Sequence, residues 1–370
     1  MEDKKYWIGF NLIKGIGTVR MQNLVAYFGD LESAWNADAQ ELAQSGLGTK
    51  LVEKVVSARK DINLNQVWAK IEAQGIKIVT WADEEYPNRL REIDQPPPIL
   101  YIRGEYLQDD LFAVAIVGTR KVTGYGRQVT EEIASFLASN GITVISGLAR
   151  GVDAIAHQTA LKVGGRTIAI LGSGVDKIYP PEHRGLAEEM MKRGAIISDY
   201  AVGTPPDASN FPPRNRIISG LSLAVVVIEA AETSGALITA EFAAEQGREI
   251  FAVPGSILAP QSKGTNRLIQ KGALPLLSPD DLMQALDLTR VGEHKSARKL
   301  IPADETEAKV LSVLSREPLH VDEIRNQAGL PIEKISATLA LMELKGMVRQ
   351  VGGMNYVSVR EDQAEYKVNK

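Results

Sequence analysis

The sequence predicts an α/β protein whose core is a Rossmann-like parallel sheet. Between Ala113 and Ala273, short apolar segments alternate with glycine-containing turns and with segments that have the apolar spacing of helices. Near-continuous Val, Ile, Ala and Leu content is typical of parallel strands covered on both faces. Strands are predicted at 113–117, 142–145, 167–171, 195–198, 223–228 and 250–253, and an edge strand can form at 274–277. Helices are predicted between them, near 124–139, 152–163, 182–193, 235–247 and 264–271.

Composition limits the class of protein. The 370 residues exceed what one hydrophobic core usually serves, so we expect two or three domains. No run approaches the roughly 18 apolar residues of a membrane span, and the charged N-terminus lacks the apolar core of a secretion signal. The chain has no cysteine, which excludes disulfides and thiolate metal sites. These features favour a cytoplasmic protein that does not contact a membrane.

The first segment, 1–60, predicts a helical domain of the SAM-like or helix-hairpin-helix type. Two similar turns, Lys14–Thr18 and Ser45–Thr49, each precede apolar residues at helical spacing. Backbone N–H groups of such turns can contact a DNA phosphate. The glycines can equally serve only as tight turns between packed helices, and both interpretations stay open.

Residues 61–110 predict a bridging segment. It contains a helix at 65–74, a strand near Ile76–Thr80 and three consecutive prolines at 96–98. The prolines impose an extended path, after which Ile99–Ile102 can enter a sheet edge. The Rossmann-like domain, which we expect to bind DNA, then covers 111–280.

The C-terminal part predicts a linker at 281–303, a winged helix at 304–358 and a charged tail at 359–370. The expected helices are 304–314, 321–328 and 331–345, and the wing is a hairpin at 348–357. Residues 304–358 carry six Lys/Arg against eight Asp/Glu. The third helix offers Glu333, Lys334, Ser336 and Thr338 instead of the Arg, Asn or Gln that read bases. We therefore expect this domain to contact protein, or DNA phosphates only weakly.

The turns after the strands carry polar and basic residues. In a parallel sheet these turns meet at one edge, where ligands bind and where helix N-termini favour anions. Arg120 follows the first strand, and its guanidinium can bind a phosphate through two parallel hydrogen bonds. Ser146 and Gly147 are expected to offer backbone N–H groups. Net charge is −4, so any nucleic-acid surface has to be local.

The segment from Phe211 to Arg216 adds two arginines to this edge. If it is extended, Arg214 and Arg216 share one face and Asn215 turns inward. Phe211 and Tyr179 can stack on bases, or can serve core packing. Both roles stay open at this point.

Several enzyme motifs are absent. The glycine pair 124 and 126 comes too late for a dinucleotide fingerprint, and no Walker loop or nucleophile elbow occurs. The four histidines lack metal-ligand spacing, and His157 is expected to cap or pack. Glu229 is either a general base or a carboxylate that orients neighbouring arginines. The sequence predicts no catalytic constellation, no metal and no cofactor.

An ordered series of motifs resembles one known family, the DNA-processing proteins DprA or Smf. The motifs are Ile116–Arg120, Ser146–Ala154, Leu171–Gly174, Tyr179-Pro180, Phe211–Leu221, Ser234–Ala240 and Gly264–Asn266. The resemblance covers the whole central domain, and the helical start and winged-helix end agree with longer members. Asp199 departs from the glutamate that the family usually has there.

The resemblance implies a non-catalytic protein that binds single-stranded DNA and loads the RecA recombinase onto it, in natural transformation or recombination. It also implies a homodimer formed through the Rossmann-like domain. The DNA-binding residues are expected to be Gly118, Thr119, Arg120, Ser146, Gly147, Arg150, Gly172, Ser173, Gly174, Tyr179, Arg184, Phe211, Arg214, Asn215, Arg216, Lys263, Gly264, Thr265 and Asn266.

Two other classes of function compete with this one. The first is a nucleotide-processing enzyme similar to phosphoribohydrolases that uses Glu229, although the chain has Val253–Ser256 where those enzymes have a longer glycine loop. The second is a protein-interaction module whose grooves are vestigial. Release of free base would indicate the first, and a lack of oligonucleotide binding would indicate the second.

Overall fold

The structure is a computed structural model that describes residues 3–286, 305–315, 318–344 and 348–358. The chain divides into two compact units, 1–286 and 287–370. In the described part of the chain, no helix has the length and apolar character needed to cross a membrane.

Six helices open the first unit. Gly17 and Gly48, in the two predicted turns, are the N-caps of the second and fifth helices. One hydrophobic cluster joins Phe10 of the first helix and Leu24 of the second to Ile196 of the sheet and to Leu171, directly after a strand. The helices are α1 (Lys4–Asn11), α2 (Thr18–Phe28), α3 (Leu31–Asn36), α4 (Ala39–Gln44), α5 (Thr49–Asp61) and α6 (Leu64–Ala73).

A nine-stranded sheet forms the core of this unit. Its strands are β1 (Lys77–Thr80), β2 (Ile99–Gly104), β3 (Ala113–Val117), β4 (Thr143–Ser146), β5 (Thr167–Ile170), β6 (Ala195–Ser198), β7 (Ala224–Val227), β8 (Glu249–Ala252) and β9 (Leu274–Pro275). The order is β1-β2-β6-β5-β4-β3-β7-β8-β9. Strands β3 to β9 are parallel, whereas β2 joins β6 and β1 joins β2 in antiparallel pairs. The predicted parallel sheet is confirmed.

The topology fixes where a ligand can bind. The chain runs outward from β3 through β4, β5 and β6, and then returns to β7 on the other side of β3. This reversal leaves a crevice at the carboxyl ends of β3 and β7, which is the usual ligand site of an open α/β sheet. β3 is also the middle strand of the parallel set.

The remaining helices connect the strands. They are α7 (Asn88–Arg91), α8 (Gly124–Ser139), α9 (Val152–Lys162), α10 (Arg184–Arg193), α11 (Phe211–Gly220), α12 (Gly235–Glu245), α13 (Lys263–Gln270) and α14 (Asp280–Ala285). The expected extended stretch at 211–216 is wrong, because α11 starts at Phe211. Pro212 and Pro213 lie in its first turn, where no backbone N–H is required.

The predicted domain boundaries within the first unit stay predictions. The structure shows α14 where the linker was expected to start, and the rest of that linker, 287–303, lies outside the described residues. The tail at 359–370 lies outside them as well.

The second unit is a winged helix, as predicted. Its elements are α15 (Glu305–Val313), β10 (Leu319–His320), α16 (Val321–Ala328), α17 (Ile332–Leu344), β11 (Val348–Gln350) and β12 (Asn355–Ser358), with the strands in the order β10-β12-β11. Leu311, Ile324, Ile335 and Leu339 form its core.

We expect Gly194→Ala to destabilise the first unit by about 2 kcal/mol, since overpacking costs this much. A Cβ atom at Gly194 would overlap the carbonyl oxygen of Thr167. The measurement is urea unfolding followed by tryptophan fluorescence, because all four tryptophans lie in this unit. Gly185→Ala is the control: it lies in α10 with open space around it and should gain up to about 1 kcal/mol. Equal effects of the two substitutions would contradict the packing argument.

Candidate nucleic-acid interface

A cleft of about 720 Å³ opens at the carboxyl ends of β3 and β7. It lies where the topology places the ligand site. Its lining includes Pro206, Ala208 and Ser234, which the sequence analysis did not select. The predicted site residues that line it are Gly118, Thr119, Arg120, Tyr179, Phe211, Arg214 and Asn215.

The turn after β3 presents Arg120 to the cleft. Gly118 allows this turn to pack closely, because a Cβ atom there would lie 2.7 Å from Cγ2 of Val152. The backbone N–H of Thr119 donates to the carbonyl of Glu229 at 2.8 Å. Arg120 itself is exposed and forms no ion pair with any residue that the structure describes. Its guanidinium is therefore available to a ligand.

Glu229 has a structural role that the sequence analysis did not predict. Its carboxylate accepts hydrogen bonds from the backbone N–H of Thr123 at 3.0 Å and from the Thr123 hydroxyl at 2.5 Å. Thr123 in turn caps α8 by accepting from the N–H of Gly126. Within the described ranges, Glu229 forms no ion pair or hydrogen bond with an arginine. Its expected role in orienting arginines is thus wrong, and the carboxylate fixes the turn that carries Arg120.

Arg214 is charged and buried beneath the cleft, with 5% of its surface exposed. Its guanidinium donates to the carbonyl of Gly147 at 3.0 Å, and the carboxylate of Asp153 accepts from the N–H of the same Gly147 at 3.1 Å. Burial lowers the pKa of Arg214 to about 10, against the opposing effect of Asp153. Arg214 therefore stays protonated at neutral pH.

This arrangement corrects two expectations. The N–H of Gly147 is not free for a ligand, because Asp153 accepts from it. Arg214 and Arg216 do not share a face, since residues two apart in a helix point in different directions. Arg216 instead pairs with Asp199 at 2.9 Å.

Two aromatic rings lie side by side at the cleft. Tyr179 and Phe211 are stacked, with ring centroids 5.8 Å apart and planes at 28°. Neither ring belongs to the hydrophobic core clusters that the described residues form, and Tyr179 is 39% exposed. The guanidinium carbons of Arg120 and Arg214 lie 5.7 and 6.0 Å from the Phe211 centroid. The core-packing interpretation is thus wrong for Tyr179, and the rings form an accessible surface flanked by positive charge.

The predicted residues of the second and third turns lie behind or beside the cleft. The buried hydroxyls of Ser146 and Ser173 donate to the carbonyls of Ile116 and Lys177. Gly172 and Gly174 pack tightly, Gly172 against Phe211 and Gly174 against the Ala201 carbonyl. Arg184 is exposed at the start of α10, and the exposed Arg150 pairs with Glu182 at 2.5 Å.

The predicted residues of α13 do not line the cleft. Gly264 and Thr265 are buried at the start of this helix, where a Cβ at Gly264 would lie 2.6 Å from the Ala230 carbonyl. The side chain of Asn266 bonds both the N–H and the carbonyl of Gly255. Lys263 is exposed. Gly264 therefore packs against the loop after β7, and Asn266 fixes the loop after β8.

His157 is a packing residue, as expected. It is fully buried in α9, with Nδ1 2.6 Å from the Thr167 hydroxyl. Burial lowers the pKa of His157 to about 3, so the imidazole is neutral.

The N-terminus of α12 also borders the cleft, although the sequence analysis did not count Ser234 among the binding residues. Ser234 caps α12, and its hydroxyl accepts from the N–H of Ala236 at 3.4 Å. Serine directly before a helical segment is an N-cap pattern, so the sequence held this information. Lys121, beside Arg120, adds a second exposed cation to the lining.

The fold defines a protein with a Rossmann-like domain and a winged-helix domain. The family described as DNA recombination-mediator protein A matches residues 77–287, and the family described as DprA winged helix domain matches residues 294–354. The chain belongs to the family of DNA recombination-mediator protein A, the DprA or Smf proteins.

Individual relatives support this family assignment. Protein Smf from Synechocystis is 37% identical, covering 96% of this chain and 98% of the relative. The X-ray structure of DNA processing protein A from Streptococcus pneumoniae has a TM-score of 0.67 at 33% identity, covering 76% of this chain and 97% of that one. A structure from Helicobacter pylori, described as showing the single-stranded DNA binding mode of DNA processing protein A, has a TM-score of 0.52 at 32% identity, with coverage of 57% and 95%.

We expect Arg214→Leu to destabilise the first unit by about 3 kcal/mol, because it leaves the carboxylate of Asp153 buried without its cation. The double variant with Asp153→Asn should recover at least about 1 kcal/mol of that loss, since the two sites are coupled. Urea unfolding followed by tryptophan fluorescence measures both. Additive effects of the two substitutions would show that the charges act independently.

Proposed function

We propose that this protein binds single-stranded DNA in the cleft and acts as a recombination mediator that loads RecA onto the bound strand. It does so in the cytoplasm, in natural transformation or in DNA recombination more generally. Membership of the family supports a role in DNA processing. The Helicobacter pylori relative, described as binding single-stranded DNA, supports this choice of ligand.

The observation that carries the proposal is the unpaired Arg120 next to the stacked rings. A guanidinium binds phosphate with two parallel hydrogen bonds, and an exposed ring offers a stacking surface to any base. Lys121 and the N-terminus of α12 add further attraction for a phosphate. A single strand suits this site, because its bases are free to reach the rings.

The predicted residues outside the cleft fit as outer contacts or as supports. Arg150, Arg184 and Lys263 are exposed, so they can reach phosphates of a longer strand. The buried residues Ser146 and Ser173 support the turns without touching DNA.

A non-catalytic role suits the two carboxylates nearest the cleft, Asp153 in its lining and Glu229 behind it. Glu229 is engaged by Thr123, and Asp153 accepts from the N–H groups of Gly147 and Ala149. A general base has to reach the proton that it abstracts, and both carboxylates are occupied by the backbone. Incubation of the protein with nucleotides and analysis for free base tests the competing phosphoribohydrolase-like activity.

The winged helix is proposed to contact protein. On the exposed side of α17 lie Lys334, Ala337 and Leu341, and Leu341 is 54% exposed. Ala337 and Leu341 cannot hydrogen-bond a base edge, so only Lys334 of these three side chains could make such a contact.

We further propose that the protein forms a homodimer at the corner of the sheet next to β8 and β9. Three apolar side chains are strongly exposed there: Ile257 at 80%, Leu258 at 86% and Leu277 at 77%. They follow the carboxyl ends of two adjacent parallel strands, so they lie at the same corner. Apolar residues exposed together are typical of an interaction site.

We expect Arg120→Ala to weaken the binding of a labelled oligothymidine at least about tenfold. A bidentate, charge-assisted hydrogen bond to phosphate contributes about 1.5–3 kcal/mol to the free energy of binding. The melting temperature should stay unchanged, because Arg120 forms no ion pair with a described residue. Arg120→Lys should recover only part of the affinity, because an ammonium lacks the two-point geometry. Fluorescence anisotropy and thermal melting measure the two effects.

Arg127→Ala is the matched control. Arg127 is an exposed arginine of α8 that pairs with Glu131 and lies outside the cleft lining. Unchanged DNA binding by Arg120→Ala would refute the assignment of the site. A parallel loss of binding and stability would show that Arg120 has a structural role.

We expect the double variant Ile257→Glu and Leu258→Glu to sediment as a monomer at concentrations where the wild type is a dimer. Burying two carboxylates in an apolar interface is strongly unfavourable. Val163→Glu, at another exposed apolar position, should leave the dimer intact. If the wild type is monomeric at all accessible concentrations, the dimer proposal fails.

A further inference from the structure

A second groove, of about 670 Å³, lies away from the cleft beside β1 and β2. Its floor includes the buried residues Val79 and Ile102 and the half-buried Leu111. At one end it is bounded by Gly104, which pairs with Ala195 at the amino end of β6. The cleft lies at the carboxyl ends of the parallel strands, so the two sites are at different edges of the sheet.

The rim of the groove is acidic. Glu84, Glu85 and Glu105 are exposed along it, and its single cation, Lys77, pairs with Glu85. Glu84 and Glu105 form no ion pair with a residue in the described part of the chain. The cleft, in contrast, is lined by arginine and lysine. A polyanion that enters the cleft is therefore repelled from this groove.

The wall that carries Glu105 is fixed in place. The fully buried carboxylate of Asp110 pairs with Arg166 at 2.8 Å and accepts from the hydroxyl of Thr143 at 2.8 Å. Arg166 also donates to the carbonyl of Glu105.

The part of the floor formed by Leu111 is fixed as well. Arg89 donates to the carbonyl of Leu111 at 2.9 Å, and Arg248 donates to the carbonyl of Arg89 at 3.0 Å. The groove is thus preformed, which reduces the entropy cost of binding.

An apolar floor beneath an acidic rim matches one kind of peptide. In an extended chain, successive side chains point to opposite sides. A segment in which apolar and basic residues alternate would place the apolar side chains on the floor and the ammonium groups near Glu84 and Glu105. Tyr106 lines the groove, and its hydroxyl forms no hydrogen bond with another described residue. This hydroxyl can therefore hydrogen-bond to the backbone of the peptide.

We propose that this groove docks an extended basic segment of a partner protein while the cleft remains free for its own ligand. The proposal does not depend on what binds in the cleft. A protein with two such sites can hold a nucleic acid and a second protein at the same time.

The test uses the full-length protein and a fluorescein-labelled decapeptide of alternating lysine and leucine. Neutralising the rim with Glu84→Gln and Glu105→Gln should weaken peptide binding about fivefold at low salt, as two exposed charge pairs allow. Glu188→Gln with Glu241→Gln, which removes two exposed acids outside the groove, should have no effect. A peptide with five lysines followed by five leucines controls for composition and should bind more weakly than the alternating one.

Hydrogen exchange locates the bound peptide. The alternating peptide should slow amide exchange within residues 104–111, and oligothymidine binding by the rim variant should equal that of the wild type. Equal loss in the two glutamine variants, or equal binding of the two peptides, overturns the proposal. So does a change of oligomeric state in the rim variant, because the groove would then be a contact between copies of this chain.

Discussion

Arg214 and Asp153 hold Gly147 by its carbonyl and by its N–H respectively, and the shape of the cleft depends on these contacts. Taking charges out of water costs several kcal/mol per ion, so two buried charges persist only where their hydrogen bonds are satisfied. Here Asp153 accepts from the N–H groups of Gly147 and Ala149, and Arg214 donates to the Gly147 carbonyl. The turn after β4 is thereby fixed to α9 and α11.

The same principle operates on the other side of the cleft. Glu229 reaches across from the end of β7 to Thr123 at the start of α8. Each buried carboxylate thus fixes a loop that follows a neighbouring strand. The exposed Arg120 is then presented from a rigid frame, which is what a preorganised phosphate contact requires. Charges inside the protein fix the geometry, and charges at the surface remain available.

The sequence predicted the repeating architecture because apolar strands and glycine turns are local features. The prediction of an extended conformation at 211–216 was wrong, because two consecutive prolines suit an extended chain as well as the first turn of a helix. Only the position of the helix start distinguishes these two conformations. The role of Glu229 could not be predicted, since its partner Thr123 is far away in sequence. The remaining errors concern serine and glycine residues of the turns, which were expected to contact a ligand and are buried instead. A serine or glycine in a ligand turn has the same sequence pattern whether its N–H groups face a ligand or a buried carboxylate.

The antiparallel strands β1 and β2 have a consequence for how the chain can be divided. Without them β6 would be a sheet edge with unpaired N–H and C=O groups, and such edges favour aggregation. The apolar residues Val79, Leu100 and Ile102 belong to the same hydrophobic cluster as Ile197 of β6 and Ile217 of α11. A fragment that began at residue 105 would therefore uncover the edge and one face of the sheet together. The segment that joins the helical start to the parallel strands belongs to the folding unit of those strands, and a soluble core has to include it.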